Sequence, residues 1–212
     1  MAVIKQGILG GISGKIGNVV GSSWKGIAVL KSLPLSVANP RTVLQVAQRN
    51  ALKGIVNVSR LLLGSIVQPL WNPFAQRESG YNAFVSQNIS TFVGDVFTNF
   101  ADFFSQRGAL TNAATIAVAA TKDDNTIQVT WVDNDGVSDA LGTDDINIVV
   151  YNATQDTWYS DPAAAKRFEQ IRDLVVPAIE TGDLLKVYVG ASRPSFSRVS
   201  DSTFIAVTVT AS

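Results

Sequence analysis

Neither cysteine nor histidine occurs anywhere in this sequence of 212 residues. Without cysteine there is no disulfide and no thiolate metal site. Without histidine the chain lacks the commonest general base, the commonest metal ligand and the usual pH switch. Catalysis would have to come from a carboxylate pair, a Ser-Lys arrangement or a hard metal held by oxygens. Acidic residues are missing altogether from the first 60 positions. No run of about 18 residues is apolar and uncharged enough to span a bilayer. The opening residues have no secretory core either, because glycines and Lys15 interrupt the apolar positions. The expectation is a protein that works where it is made, in the bacterial or host-cell cytoplasm or in a virion assembled there, with no membrane partner.

What is present is apolar enough to fold: hydrophobic residues make up 46% of the chain, above the range of disordered sequences. The net charge of zero conceals a division. Residues 1–110 carry ten Lys and Arg against three acids, and residues 111–212 carry seven against fourteen. The halves are therefore +7 and −7, a pattern that speaks about partners and not about fold. The basic half wants an anion, either nucleic acid or the acidic half of a neighbouring copy.

Along the chain three regions are expected: a glycine-rich basic arm over 1–38, a helical region over 39–108 and an acidic β-sandwich over 109–212. In the arm Ile4, Ile8, Ile12, Ile16, Val20 and Trp24 recur every four residues among glycines 7, 10, 11, 14, 17, 21 and 26. Each glycine costs a helix roughly 1 kcal/mol relative to alanine, so the arm reads as extended or looped, ordering when it docks. Ile27–Leu33 has the composition of a short strand. Asn39 as cap and Pro40 at the first helical position open a helix expected from about 40 to 67, closed by Pro69. A shorter helix is expected near Ser79 with Tyr81, Phe84 and Val85. The aromatic stripe Phe92, Phe97, Phe100, Phe103 and Phe104 reads as packing against the first helix.

After Gly108 the period changes to two. Strands are expected at Thr115–Ala120, Thr126–Val132, Ile146–Asn152, Thr157–Ser160, Phe168–Val175, Leu184–Gly190 and Phe204–Thr210. Asp- and Gly-containing turn signals separate them. Seven short strands at this spacing predict an immunoglobulin- or fibronectin-like antiparallel sandwich with Trp131 and Tyr188 at its centre. Ala163–Leu174 is open between strand and helical turn. The fold class is α+β.

One stretch is more specific. Gly7-Ile8-Leu9-Gly10-Gly11, Ser13-Gly14-Lys15 and Gly17 through Ile27, with Asn39-Pro40-Arg41-Thr42, Gln48-Arg49 and Gly80 through Val85, resemble an uncharacterised family of Bacteroidota. Val129-Thr130-Trp131, Val149 through Asn152, Val187 through Gly190 and Val199 through Ser202 continue the likeness. That family is a domain of unknown function, so the resemblance implies no activity and no catalytic residues. It implies Bacteroidota or their phages as the source, with a phage particle as the expected setting.

Chemical motifs fail on inspection. A phosphate loop needs Gly, four intervening residues, then Gly-Lys-Ser/Thr; Leu9 stands where the first Gly belongs, and Ile16 follows Lys15. An EF-hand counted from Gly136 would place Trp131 first and Gly142 last, neither of them a carboxylate. Asp133, Asp135, Asp139, Asp144 and Asp145 read as solvated turn carboxylates. No catalytic residue, cofactor or metal ligand is therefore expected. The function expected is a non-enzymatic structural protein, a homo-oligomer associating with other virion proteins in a neck, tail or capsid-associated ring. Ile8, Ile12, Ile16, Trp24, Lys25, Arg41 and Arg49 are the expected interface residues. Two alternatives remain: a surface module binding a glycan or protein through Trp158 and Tyr159, and a DNA-associated packaging or ejection factor using residues 1–110.

Overall fold

The computed structural model describes residues 11–36, 39, 41–122 and 125–211, together with the backbone of residues 3–4. The chain divides into two compact units, Met1–Gln45 and Val46–Ser212.

The first unit is an antiparallel sheet of β1 (Val3–Ile4), β2 (Ile12–Ile16), β3 (Val19–Trp24) and β4 (Ile27–Ser32), in that order. The segment expected as an extended or looped arm is thus a meander. Its two-residue turns explain why. Gly17 has φ 56°, and Lys25 and Gly26 have φ 46° and 83°. Positive φ at these places gives the turn geometry whose twist matches paired strands. Gly21 serves close packing instead. A Cβ there would lie 2.2 Å from the carbonyl oxygen of Ile12, so only glycine lets β2 cross so closely. The glycines that disfavour a helix are the ones that permit this sheet. The expected Ile27–Leu33 strand is present as β4.

Helix α1 (Val43–Leu61) begins after Thr42, whose hydroxyl accepts from the Gln45 amide at 3.4 Å. The expected start was two to three residues earlier; Asn39 stands outside the helix and Pro40 lies outside the described residues. Pro69 does not end the helical path. A π-helical turn, Leu63–Val67, leads into α2 (Gln68–Trp71), where Pro69 occupies the first turn and has no intrahelical donor to lose. Ser79 then caps α3 (Gly80–Asn88) by accepting from the Asn82 amide at 3.2 Å. A two-residue hairpin of β5 (Phe92–Val93) and β6 (Val96–Phe97) follows.

The sandwich comprises β7 (Ala114–Thr121), β8 (Thr126–Val132), β9 (Asp145–Asn152), β10 (Thr157–Lys166), β11 (Ile171–Val175), β12 (Leu184–Ser192) and β13 (Thr203–Thr208). One sheet has the order β10-β9-β12-β13 and the other β11-β8-β7. All seven expected strands exist. Two differ in extent: β10 runs on through a register irregularity to Lys166, and Arg167–Glu169 forms a 3-10 turn before β11 starts. Ile127, Val129 and Trp131 of β8 meet Ile146, Ile148 and Val150 of β9 and Leu185, Val187 and Val189 of β12 between the sheets.

A second core lies on the far side of the four-stranded sheet. Val149, Tyr151 and Tyr188 point there and pack with Ile55, Val58, Leu62, Phe84, Phe97 and Phe103. Tyr188 therefore belongs to the helix-facing layer and not to the centre of the sandwich, where Trp131 sits. The helical region and the sandwich lie in one unit and share this second core, where the sequence suggested a boundary near 108. Every residue of β9 is buried, because the strand is covered on both faces.

The acidic turns are not simply solvated. Asp144 is fully buried and accepts from Arg193 Nη1 at 2.9 Å, Arg167 Nη2 at 3.2 Å and the Leu141 amide at 2.9 Å. Asp145 pairs with Lys166. Asp135 accepts from the Gly142 amide at 2.7 Å, and Asp133 from the Asp135 amide at 3.0 Å. Asp139 accepts both the amide and the hydroxyl of Thr111, at 2.9 and 2.8 Å. These bonds hold the Asp139 carboxyl below its ordinary value of 3.8, and the Arg198 guanidinium adds to the effect. A depressed folded-state pKa stabilises the fold above the unfolded value and loses that contribution as pH falls through the folded one. Asp139→Asn keeps an acceptor for Thr111, so its urea midpoint should fall less than the wild type's below pH about 4. Parallel acid profiles would remove Asp139 from the acid response.

Candidate interaction surface

In the N-terminal sheet the register decides which side chains share a face, since residues directly opposite in an antiparallel pair project together. Lys15 faces Val20 and Val20 faces Lys31; Ser22 faces Val29; Trp24 faces Ile27. One face thus carries two lysines flanking Val20, with Val29, Trp24 and Ile27 toward the β3–β4 turn. The other carries Ile12, Ile16, Val19 and Leu30 around Gly14 and Gly21.

Among the described residues, both faces of this sheet carry exposed apolar side chains. Trp24 is 51% exposed and Leu30 61%, and Gly21 is the only buried residue among the described positions 11–36. A small sheet needs an apolar face packed on something to be stable by itself. Among the described residues the outer edge of β4 is also unpaired in the sheet order, leaving backbone groups open to another chain.

The residues expected at the interface lie on several elements. Ile12 and Ile16 lie on one face, Trp24 on the other, and Lys25 sits in the turn beside it. Arg41 precedes α1, and Arg49 is an exposed position on it. Ile8 lies outside the described residues. Lys15, Lys31 and Ile27, which share the Trp24 face, escaped the sequence reading because only the register aligns them. The first eight residues of α1 are exposed throughout, with Val43 at 85% and Leu44 at 82%.

The second unit has a surface groove of about 470 Å³ bounded by α1, the β5–β6 hairpin and the β9–β10 turn. Its floor is aromatic: Tyr151 and Trp158 lie with ring centroids 4.6 Å apart, and Phe97 is 5.4 Å from Trp158. Leu61 and Val96 form an exposed apolar rim, at 69% and 60%. Asp95 and Asp156 stand on two different turns at this rim, supported by Gly94 at φ 63° and by the φ of 53° at Asp156 itself. Asp156 accepts from the Tyr151 hydroxyl at 3.0 Å. Burial first, and this carboxylate second, push the Tyr151 pKa upward. Among the described residues neither Asp95 nor Asp156 has an ion-pair partner.

Trp158 and Tyr159 do not form a joint platform. They are successive residues on opposite faces of β10; Tyr159 packs on the sandwich core and donates to the Pro177 carbonyl at 3.0 Å, while Trp158 packs on the aromatic layer. Among the described residues no group of three or more carboxylates is placed to hold a metal ion. No helix among them is long and apolar enough to cross a membrane.

The three-stranded sheet of first, second and fifth sandwich strands, facing fourth, third, sixth and seventh, defines a fibronectin type III-like sandwich. Here it carries a helical layer on its four-stranded sheet and a separate N-terminal sheet. The chain belongs to the family of unknown function DUF6266, whose profile matches residues 11–206. No curated protein matches the sequence. Among solved structures, the fn3 domain of human collagen alpha-1(XX) chain is similar at 15% identity and TM-score 0.34, over 49% of this chain and 89% of that one. The FN1-FN3 domains of chicken CNTN1 match at 10% identity and TM-score 0.33, over 50% of this chain and 36% of that one.

Proposed function

We propose that this protein is a non-enzymatic assembly module whose N-terminal sheet docks on a neighbouring copy of the chain. One observation carries the reading: a sheet without a single acidic residue leaves apolar side chains uncovered on both faces. Exposed apolar surface of this kind marks interaction sites, and the absence of acids selects an acidic receptor. The sandwich with its helical layer is the rigid body that such a contact would join. A contact between two different patches repeats from copy to copy and closes into a ring or grows into a filament. That would suit a ring in a phage particle, the setting expected from the sequence.

The test is the native mass of the full-length protein at low and high salt. A discrete multimer that loosens as salt rises is expected. Trp24→Thr with Ile27→Thr keeps residues that suit a strand and should return the protein to monomer mass. A wild type that is monomeric at every salt concentration would overturn the reading.

A second reading, a sandwich that binds a glycan or another protein, draws on the outward face of the three-stranded sheet. There Ala119, Thr121, Thr126, Gln128 and Asp173 frame a depression of about 340 Å³. A glycan array separates the two.

A further inference from the structure

If the N-terminal sheet docks on another copy, that copy must offer a surface of matching chemistry. The sheet brings an indole, aliphatic side chains and cations to one face: Trp24, Ile27 and Val29 beside Lys15 and Lys31. Lys15 and Lys31 stand one on each neighbour of β3, so their Cα atoms are separated by two interstrand spacings, roughly 10 Å. The receptor must therefore be apolar at its centre and acidic at its rim, with carboxylates not already neutralised.

Surfaces of the second unit differ in how they meet these demands. The depression on the three-stranded sheet is lined by Ala, Thr and Gln, and its one acid, Asp173, accepts from Gln128 Nε2 at 3.0 Å. The pocket near Trp71 and Phe74 has Glu78 as its one acid and also carries Arg107, a cation that would repel the sheet. Asp139, Asp144 and Asp145 already face Arg198, Arg167, Arg193 and Lys166. The groove over Tyr151 and Trp158 meets all three demands: an aromatic floor, the apolar rim residues Leu61 and Val96, and Asp95 and Asp156 without an ion-pair partner among the described residues.

Aromatic rings with adjacent carboxylates suit a Lys side chain in particular. The ammonium is attracted to the ring face as well as to the acids, while its methylene stem lies along the apolar rim.

We propose that the Asp95/Asp156 groove of one molecule is the receptor for the Lys15/Lys31/Trp24 face of the N-terminal sheet of a second molecule. This assignment rests on the docking function above and names its other half. The contact is head-to-tail, since sheet and groove are different patches, and each molecule keeps one unused sheet and one unused groove at the ends of any open assembly.

That asymmetry supplies the test, made on full-length protein by native mass spectrometry and sedimentation at low salt. The groove variant is Asp95→Lys with Asp156→Asn, which keeps a residue tolerant of positive φ at 156. The sheet variant is Lys15→Glu with Lys31→Glu. Each alone should weaken association at least about tenfold, as like charges replace opposite ones. Mixed together, they should associate again, because one molecule supplies an intact sheet and the other an intact groove, and the reversed charges of the two altered patches attract each other as well. Val96→Ser, which changes no charge, should also weaken association.

A groove variant that associates like wild type, while the sheet variant does not, would overturn the groove assignment and leave docking by the sheet intact. Two monomeric variants that fail to associate on mixing would overturn the head-to-tail pairing. A sheet variant that associates like wild type, or a monomeric wild type, would overturn the docking function and this assignment together.

Discussion

Asp144→Ala should lower the unfolding free energy by about 3–5 kcal/mol, the loss expected when one partner of a buried ion pair is removed. The carboxylate is fully buried and joins two guanidinium groups, Arg167 at 0% side-chain exposure and Arg193 at 18%. Arg167 holds two other acceptors, the side-chain oxygen of Asn134 at 2.6 Å and the Thr111 carbonyl at 2.7 Å. Its Nε is buried with no partner. With Asp144 gone, a buried cation keeps only neutral acceptors, and the low-dielectric interior makes that expensive. The loop before β9 also loses the bond from the Leu141 amide. Arg193→Ala should cost less, because its side chain is partly solvated. Replacing both Asp144 and Arg167 by apolar residues should recover part of the loss, since no charge is then stranded. Urea denaturation of the four proteins settles the order. A loss below about 1 kcal/mol for Asp144→Ala would mean that water reaches Arg167 once the carboxylate is removed.

That network also shows where sequence reading stops. Asp144 lies in a stretch of Asp, Gly and Ser that has the composition of a solvated turn, and its partners are 23 and 49 residues away. Nothing local distinguishes it from Asp133. The strands were legible because their signal is local: Thr126–Val132 alternates, and Ile148–Tyr151 is a continuous apolar run of β-branched and aromatic residues. That run also hinted at two-sided burial, although it could not say that helices supply the second cover.

The N-terminal sheet was hidden by its glycines. Their helix cost was read correctly, but their positions encode turns and a close crossing, which appear only once Gly17-Asn18 and Lys25-Gly26 are recognised as hairpin centres. Once the register is set, the uncovered residues Ile16 and Trp24 stand where the apolar pattern suggested contact, on opposite faces. Lys15 and Lys31 are 16 positions apart in sequence, and only the pairing of both with Val20 aligns them. The groove draws on α1, the β5–β6 hairpin and the β9–β10 turn, so no single sequence motif announces it.

Phe103 tests whether the shared core truly makes helices and sandwich one cooperative body. Its ring is 2% exposed. It lies 5.8 Å from Phe84 of α3, 5.2 Å from Phe97 of the hairpin, 5.4 Å from Trp158 of β10 and 5.0 Å from Tyr188 of β12, centroid to centroid. Phe103→Ala removes all four ring contacts at a buried position and so leaves a cavity between layers. The expected loss is about 3–5 kcal/mol, from the transfer free energy of the ring and the cavity left behind. The exposed Phe168, at 56%, is the control, and Phe168→Ala should change stability by no more than about 0.5 kcal/mol. Wild-type unfolding should give coincident transitions by tryptophan fluorescence and circular dichroism, because Trp71 and Trp158 report on the aromatic layer and Trp131 on the sandwich interior. In Phe103→Ala, amide exchange should quicken first in α3 and the β5–β6 hairpin and least in β8, whose cover is intact. A loss no larger than the Phe168→Ala control would mean that the aromatic layer merely rests on a sandwich stable without it. Equal acceleration of exchange in α3 and β8 would instead mean that the two layers open only together.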